Sequence, residues 1–138
     1  MAERAALVTG GSSGIGLAIC RALGEDGYAV TVSARRPDKL EQAVRALADE
    51  GLEVTAAAAN VASEEEVKAL IAGHKERYGR LDVLVNNAGV GIGGAVAETQ
   101  TKHIDMQLNV NLRSYVIGSR EALPMPTPAL LTSTSRRP

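Results

Sequence analysis

The segment Thr9-Gly10-Gly11-Ser12-Ser13-Gly14-Ile15-Gly16, set between an apolar β-branched run and a helical-period run, most constrains what this 138-residue chain can fold into. Ala5 to Thr9 reads as a strand. Beyond the glycines, Ile15, Ile19, Cys20 and Leu23 fall on one side of a helix that should stop near Gly27. A strand turning directly into a helix aims the helix's first amides, at the favourable end of its dipole, at whatever lies in front of them; an anion suits that place. Gly10, Gly14 and Gly16 would keep side chains out of the way of a pyrophosphate, with Ser12, Ser13 and Ile15 completing the cradle. A tight turn that needs glycine for its backbone angles alone is the competing reading. The literal G-x-G-x-x-G is absent. Gly11 to Gly16 has the Walker spacing, but Leu17-Ala18 stands where Lys-Ser/Thr is required, which excludes a P-loop NTPase.

The alternation continues along the chain. Tyr28 to Ser33 is a second strand. Pro37 opens a helix carrying Leu40, Val44 and Leu47, and Gly51 closes it; Leu52 to Ala57 is a third strand. Ser63 and Glu66 form a capping box ahead of a helix whose buried stripe is Val67, Leu70, Ile71, His74 and Tyr78, ended by Gly79. Leu81 to Val85, almost wholly apolar, is a fourth strand expected near the middle of a sheet. After a loop with Gly89, Gly91, Gly93 and Gly94, a single helix with Ile104, Leu108, Leu112, Tyr115 and Val116 on one face should run to about Leu123. This pattern predicts an α/β fold with a parallel sheet over residues 1–123. From Pro124 the periodicity stops: four of the five prolines, together with Ser133, Ser135 and Arg136-Arg137, fall in residues 124–138, expected to be a disordered or loosely attached tail.

Composition removes several function classes. Lys and Arg total 15 against 16 Asp and Glu, a net charge of −1, so no global basic field exists to hold a nucleic acid. Aromatics are 2% of the chain, Tyr28, Tyr78 and Tyr115, too few for base-stacking platforms. The single cysteine, Cys20, excludes an intrachain disulfide and reads as core packing. His74 and His103 lie on separate helices without a ligand partner at i+4, so no metal site is expected. No signal-peptide or membrane-spanning stretch is evident, and the chain is expected to be soluble and cytoplasmic.

Thr9-Gly10-x-x-x-Gly14-x-Gly16 followed by Asn86-Asn87-Ala88-Gly89 resembles the classical short-chain dehydrogenase/reductase family, with both motifs in that family's order and spacing and a likeness running from about Ala5 to Leu123. The resemblance implies a Rossmann-type doubly wound parallel sheet of order 3-2-1-4, truncated before the later strands. It implies that the first motif wraps a cofactor diphosphate and that Asn87, Ala88 and Gly89 line the adenosine-side ribose. Asn60-Val61 stands where many members carry Asp-Val to recognise adenine; the Asn60 amide oxygen can still accept from the adenine amino group, a purely structural turn being the alternative. Asn111 aligns with the asparagine that holds a water in the family's proton relay, and it is the only relay member present. A mid-helix asparagine bonded to nearby backbone is the plainer reading.

Arg35 and Arg36 follow the second strand, where the ribose of a dinucleotide would lie. An acidic residue there would accept from a free 2′-hydroxyl; none is present, and two guanidiniums favour a 2′-phosphate, hence NADPH over NADH. A solvated basic pair is the alternative.

The family's catalytic Tyr-x-x-x-Lys is absent from this sequence: Tyr28 is followed four residues on by Val32, Tyr78 by Asp82 and Tyr115 by Ser119. Ser133 and Ser135 have no flanking strand pattern and are not taken for the catalytic serine. The expectation is therefore an NADP(H)-binding oxidoreductase of the hydride-transferring type, inactive by itself. A non-catalytic nucleotide sensor or partner subunit is the alternative. A fourth strand left without its outer neighbour would invite homo-oligomers or pairing with a full-length homologue. An interrupted reading frame would account for the change at Pro124, and the other frames of the coding DNA would test it.

Overall fold

A computed structural model describes residues 3–123. Four parallel strands form one sheet: β1 (Ala5–Thr9) lies between β2 (Ala29–Ala34) and β4 (Val83–Val85), and β3 (Val54–Ala58) flanks β2, giving the expected order β3-β2-β1-β4. Register pairs Leu7 with Thr31 on one side and with Leu84 on the other, so the three strands end together at one edge of the sheet. Tyr28 and Leu52 fall outside the strands predicted for them. Their amides bond back to Leu23 and Leu47, closing the preceding helices instead of joining the ladder.

Strand alternation sorts the core into two layers. Ala6, Val8, Val30, Val32 and Ala34 meet Cys20 of α1 (Gly14–Glu25) and Leu40 and Leu47 of α2 (Pro37–Asp49) on one face. Leu7 faces the other way, onto Val67, Leu70 and Ile71 of α3 (Glu64–Tyr78) and a further helix described below. The stripe expected on α3 is buried residue for residue. Its start differs from a reciprocal capping box: the Ser63 hydroxyl accepts from the Glu66 amide at 3.3 Å, but the Glu66 carboxylate reaches past Ser63 to the Asn60 amide at 2.6 Å, because the Ser63 amide is already bonded to the Asn60 carbonyl. Gly79, at φ 68°, ends α3 in the left-handed conformation.

Two expectations are corrected. The last helical segment is not one regular helix: α4 (Thr101–Leu108) and α5 (Ser114–Ala122) are joined by a π-helical turn over Asn109–Arg113. The wider turn changes which side faces the sheet. Val110, Ser114, Ile117 and Gly118 are buried, while Ile104, Leu108, Leu112 and Val116, at 45 to 62% exposure, point outward. The inward side approaches the end of β4 closely: a Cβ on Gly118 would lie 3.1 Å from Asn86 Oδ1 and 4.0 Å from Leu84. The second concerns the central place that the apolar run of β4 suggested: among the described residues β4 is an edge strand, only half-buried, with a neighbour on the β1 side alone, as the order 3-2-1-4 without its later strands implies. The tail expected over 124–138, with Ser133, Ser135 and Arg136-Arg137, lies outside the described residues.

Candidate functional site

At the carboxyl ends of the strands, where the chain direction from β1 diverges towards β2 on one side and β4 on the other, a cavity of about 460 Å³ opens. Such a switch point is where open parallel sheets hold ligands, since the flanking crossovers lead away from it. Three stretches wall the cavity. The glycine turn contributes Gly10, Ser12, Ser13, Ile15 and Gly16; the end of β2 and the start of α2 contribute Ser33 to Arg36 and Lys39; Asn60, Val61 and Asn87 to Val90 complete it with Val110. Every sequence-derived cofactor candidate except Gly14 is in this wall, and Gly14 stands between Ser13 and Ile15 within it.

The glycines of the turn also meet packing demands within the protein. Gly10, at φ 66°, lies so near the loop after β4 that a Cβ would be 2.8 Å from the Ala88 Cα. A Cβ on Gly16 would run into the Gly10 carbonyl and the Asn87 side chain. Both are glycine so that protein can pack against protein. Gly14, at φ 54°, has nothing within 4 Å of where a Cβ would stand, so its left-handed backbone alone calls for glycine. The mouth of α1 is also left bare: Ser13 makes no side-chain cap and no acidic residue occupies the first turn. Among the described residues no side chain caps the orphan amides there, which is the condition for anion binding.

The loop after β4 is latched onto the turn. The Thr9 hydroxyl accepts from the amides of Asn87 and Ala88, each at 3.1 Å, and the Asn87 side-chain amide donates to the carbonyls of Thr9 at 3.2 Å and Gly10 at 3.0 Å. Tyr115 of α5 donates to the Ala88 carbonyl at 3.0 Å. Asn111, in the π turn, holds the backbone of Val90 at both ends, accepting from its amide at 2.8 Å and donating to its carbonyl at 2.7 Å. Its side chain is thus engaged with the loop rather than held towards the cavity. Asn60 Oδ1 accepts from the Ala62 amide at 3.0 Å, which fixes the orientation of the side-chain amide and uses one of its acceptor lone pairs.

Charge in the cavity is positive at one end. Arg35 and Arg36 are exposed there, Arg36 3.8 Å from Asp38. Lys39, overlooked in the sequence, joins them. The signal was available: Pro37 starts the helix, so Lys39 falls in its first turn, at the end that carries Arg35 and Arg36.

Two further titratable groups, Cys20 and His74, are structural. Burial pushes the Cys20 thiol up to about 11, leaving it un-ionised in the core. His74 lines a second cavity of about 430 Å³ on the α3 face, with both ring nitrogens bonded, to Thr31 at 2.7 Å and to the Arg80 carbonyl at 2.9 Å. Among the described residues no cluster of His, Cys, Asp or Glu could hold a metal ion, and no helix is long and apolar enough to cross a membrane.

Residues 4–129 match the profile of the short chain dehydrogenase family. A Streptomyces violaceoruber protein assigned as ketoacyl reductase 1 of the granaticin polyketide synthase is 40% identical over 122 residues, 88% of this chain and 45% of its own. Among solved structures, a variant of actinorhodin polyketide ketoreductase with NADPH superposes with a TM-score of 0.87 at 40% identity, covering 91% of this chain and 49% of its own. A metagenomic short-chain oxidoreductase in complex with NADP gives 0.84 at 36% identity over 88% and 56%. The chain spans about half the length of these relatives.

Proposed function

The chain belongs to the short-chain dehydrogenase/reductase family, and from that premise we propose that it is the nucleotide-holding half of an oxidoreductase that moves a hydride between a nicotinamide and a carbonyl or alcohol carbon. The observation that carries this reading is the single cavity of about 460 Å³ that unites the bare mouth of α1, the cations beyond β2 and the latched loop after β4. In it the diphosphate lies across Gly10, Ser12, Ser13, Gly14, Ile15 and Gly16, bonded by the orphan amides of α1. The adenosine lies towards Asn60 and Val61, and Asn87, Ala88 and Gly89 border its ribose. Nicotinamide chemistry is supplied by the bound cofactor; this chain's residues bind and orient it.

Arg35, Arg36 and Lys39 set a preference for the 2′-phosphorylated cofactor. Charge-assisted hydrogen bonds contribute about 1.5 to 3 kcal/mol each, enough for at least one power of ten in affinity. Relatives crystallised with NADP or NADPH support the cofactor class. Asn111 positions Val90 beside the cavity and is the one residue here aligned with the family's proton relay. With no Tyr-x-x-x-Lys in the sequence, the 138-residue chain binds the cofactor without reducing a carbonyl. The open side of β4 pairs with a further strand, from a second copy or a longer homologue.

Titration of NADPH and NADH, followed by cofactor fluorescence, tests the reading. Tighter NADPH binding by about ten-fold or more is expected. Equal affinities would remove the phosphate preference, and failure to bind either cofactor at millimolar concentration would remove the dinucleotide reading.

A further inference from the structure

Ser33 is the penultimate residue of β2, wholly buried between β1 and β3, where it is paired with Thr9 and Ala57. Its backbone carbonyl accepts from the Gly11 amide at 2.9 Å, but among the described residues its hydroxyl is the one buried side-chain polar atom without a hydrogen-bond partner. An unpaired buried hydroxyl is costly, and folded proteins leave few of them. Alanine would serve the core at least as well: Ala34 follows Ser33 in β2 and Ala57 is its partner in β3. Packing therefore gives no reason for serine.

Ser33 also lines the 460 Å³ cavity. Strand alternation turns it to the same side as Thr31, which meets His74 of α3, and away from Val32, which meets the α1 and α2 layer. That side of the strand end is the one on which β3 runs out into Ala59, Asn60 and Val61, all at the cavity or against the α3 layer. A local violation of polar satisfaction at the wall of an open cavity is the kind of flaw expected where a ligand completes the bonding.

We propose that the Ser33 hydroxyl is a binding group for the adenosine moiety of the dinucleotide, its missing partner being a polar atom of the ligand's base or ribose. The proposal rests on the dinucleotide reading above and adds a specificity contact buried beneath the exposed cations. It differs from them in kind: the contact is neutral, so salt leaves it unchanged, whereas the attraction of Arg35, Arg36 and Lys39 for phosphate is screened.

The test uses the full 138-residue chain, its Ser33→Ala variant and the near-isosteric Ser33→Cys variant, with NADPH, adenosine 2′,5′-bisphosphate and nicotinamide mononucleotide as probes. Loss of one neutral hydrogen bond should weaken NADPH and the bisphosphate alike by about five-fold in both variants, at low and at high salt. The ligand-free melting temperature of Ser33→Ala should stay level or rise, since an unsatisfied hydroxyl has been removed. Unchanged affinity in both variants overturns the proposal, as does a loss seen with NADPH but not with the bisphosphate. A fall in ligand-free stability with unchanged affinity overturns it too, by making the hydroxyl structural. Failure of the unsubstituted chain to bind either adenosine probe is a separate outcome that overturns the dinucleotide reading itself.

Discussion

Asn87 grips Thr9 from two directions, its backbone amide donating to the threonine hydroxyl at 3.1 Å and its side-chain amide to the threonine carbonyl at 3.2 Å. The same hydroxyl also accepts from the Ala88 amide and contacts the Val85 carbonyl at 3.4 Å. Two adjacent β ends and two motifs 77 residues apart are thereby fixed as one wall. Thr9→Val keeps the shape of the side chain and leaves two amides without an acceptor. A loss of about 2 kcal/mol is expected, with weakened NADPH binding, read by urea unfolding and fluorescence titration. Unchanged stability would show that these amides are not held as described.

Gly16→Ala sets two effects against each other. Alanine improves helix propensity by about 1 kcal/mol, but its Cβ meets the Gly10 carbonyl and the Asn87 side chain, neither of which can retreat without opening the latch. Overpacking of this kind costs about 1 to 3 kcal/mol, so the net change should be destabilising and cofactor binding should fall sharply. Thermal melts with and without NADPH decide the sign; a stabilised variant that still binds would mean the turn has room to spare.

Legibility followed the physics of each segment. The βαβ alternation and the α3 stripe were readable because they rest on periodicity within one element, whereas the strand order came only from the family resemblance carried by the two motifs. Lys39 was missed since its relation to Arg35 exists only once Pro37 has started the helix. The π turn was invisible: Ile104, Leu108, Leu112 and Val116 recur so regularly that they suggest an inward face, and nothing in that spacing announces the wider turn at Asn109–Arg113 across which Val110, Ser114, Ile117 and Gly118 are the buried side. Ser33 read as an ordinary strand residue, because polar satisfaction is a property of the folded surroundings and leaves no trace in the sequence.

Replacing Arg35, Arg36 and Lys39 together with alanine should abolish the NADPH preference. Affinity for NADPH is expected to fall by at least about ten-fold, while NADH, lacking the 2′-phosphate, changes little. Single replacements should rank Arg36 below Arg35, because Asp38 lies 3.8 Å from the Arg36 guanidinium and competes for it. Isothermal titration at two salt concentrations checks both points; equal losses for the two cofactors would place these cations elsewhere than at the 2′-phosphate.

Stability should fall on mild acidification through His74. Burial lowers its pKa below the ordinary 6.5, opposed by the Arg80 carbonyl and the nearby Asp82 carboxylate. The ring is neutral in the fold: Nε2–H donates to the Arg80 carbonyl, so Nδ1 must accept from the Thr31 hydroxyl. The Tyr78 ring packs against the imidazole, tilted, with centroids 5.1 Å apart. Since the unfolded chain takes up a proton near pH 6.5 that the folded chain refuses, the stabilising effect is complete above that pH. It is lost progressively as pH falls towards the folded pKa, with a slope no steeper than about 1.4 kcal/mol per pH unit for one proton. The salt-bridged carboxylates, Asp82 beside Arg80 and Glu64 beside Arg120, have lowered pKa values and act in a separate window below about pH 4. Urea unfolding from pH 8 to 5 should therefore show a decline that His74→Gln removes, whatever its effect on stability at pH 8. A decline of equal size in both proteins would assign the acid sensitivity to another group.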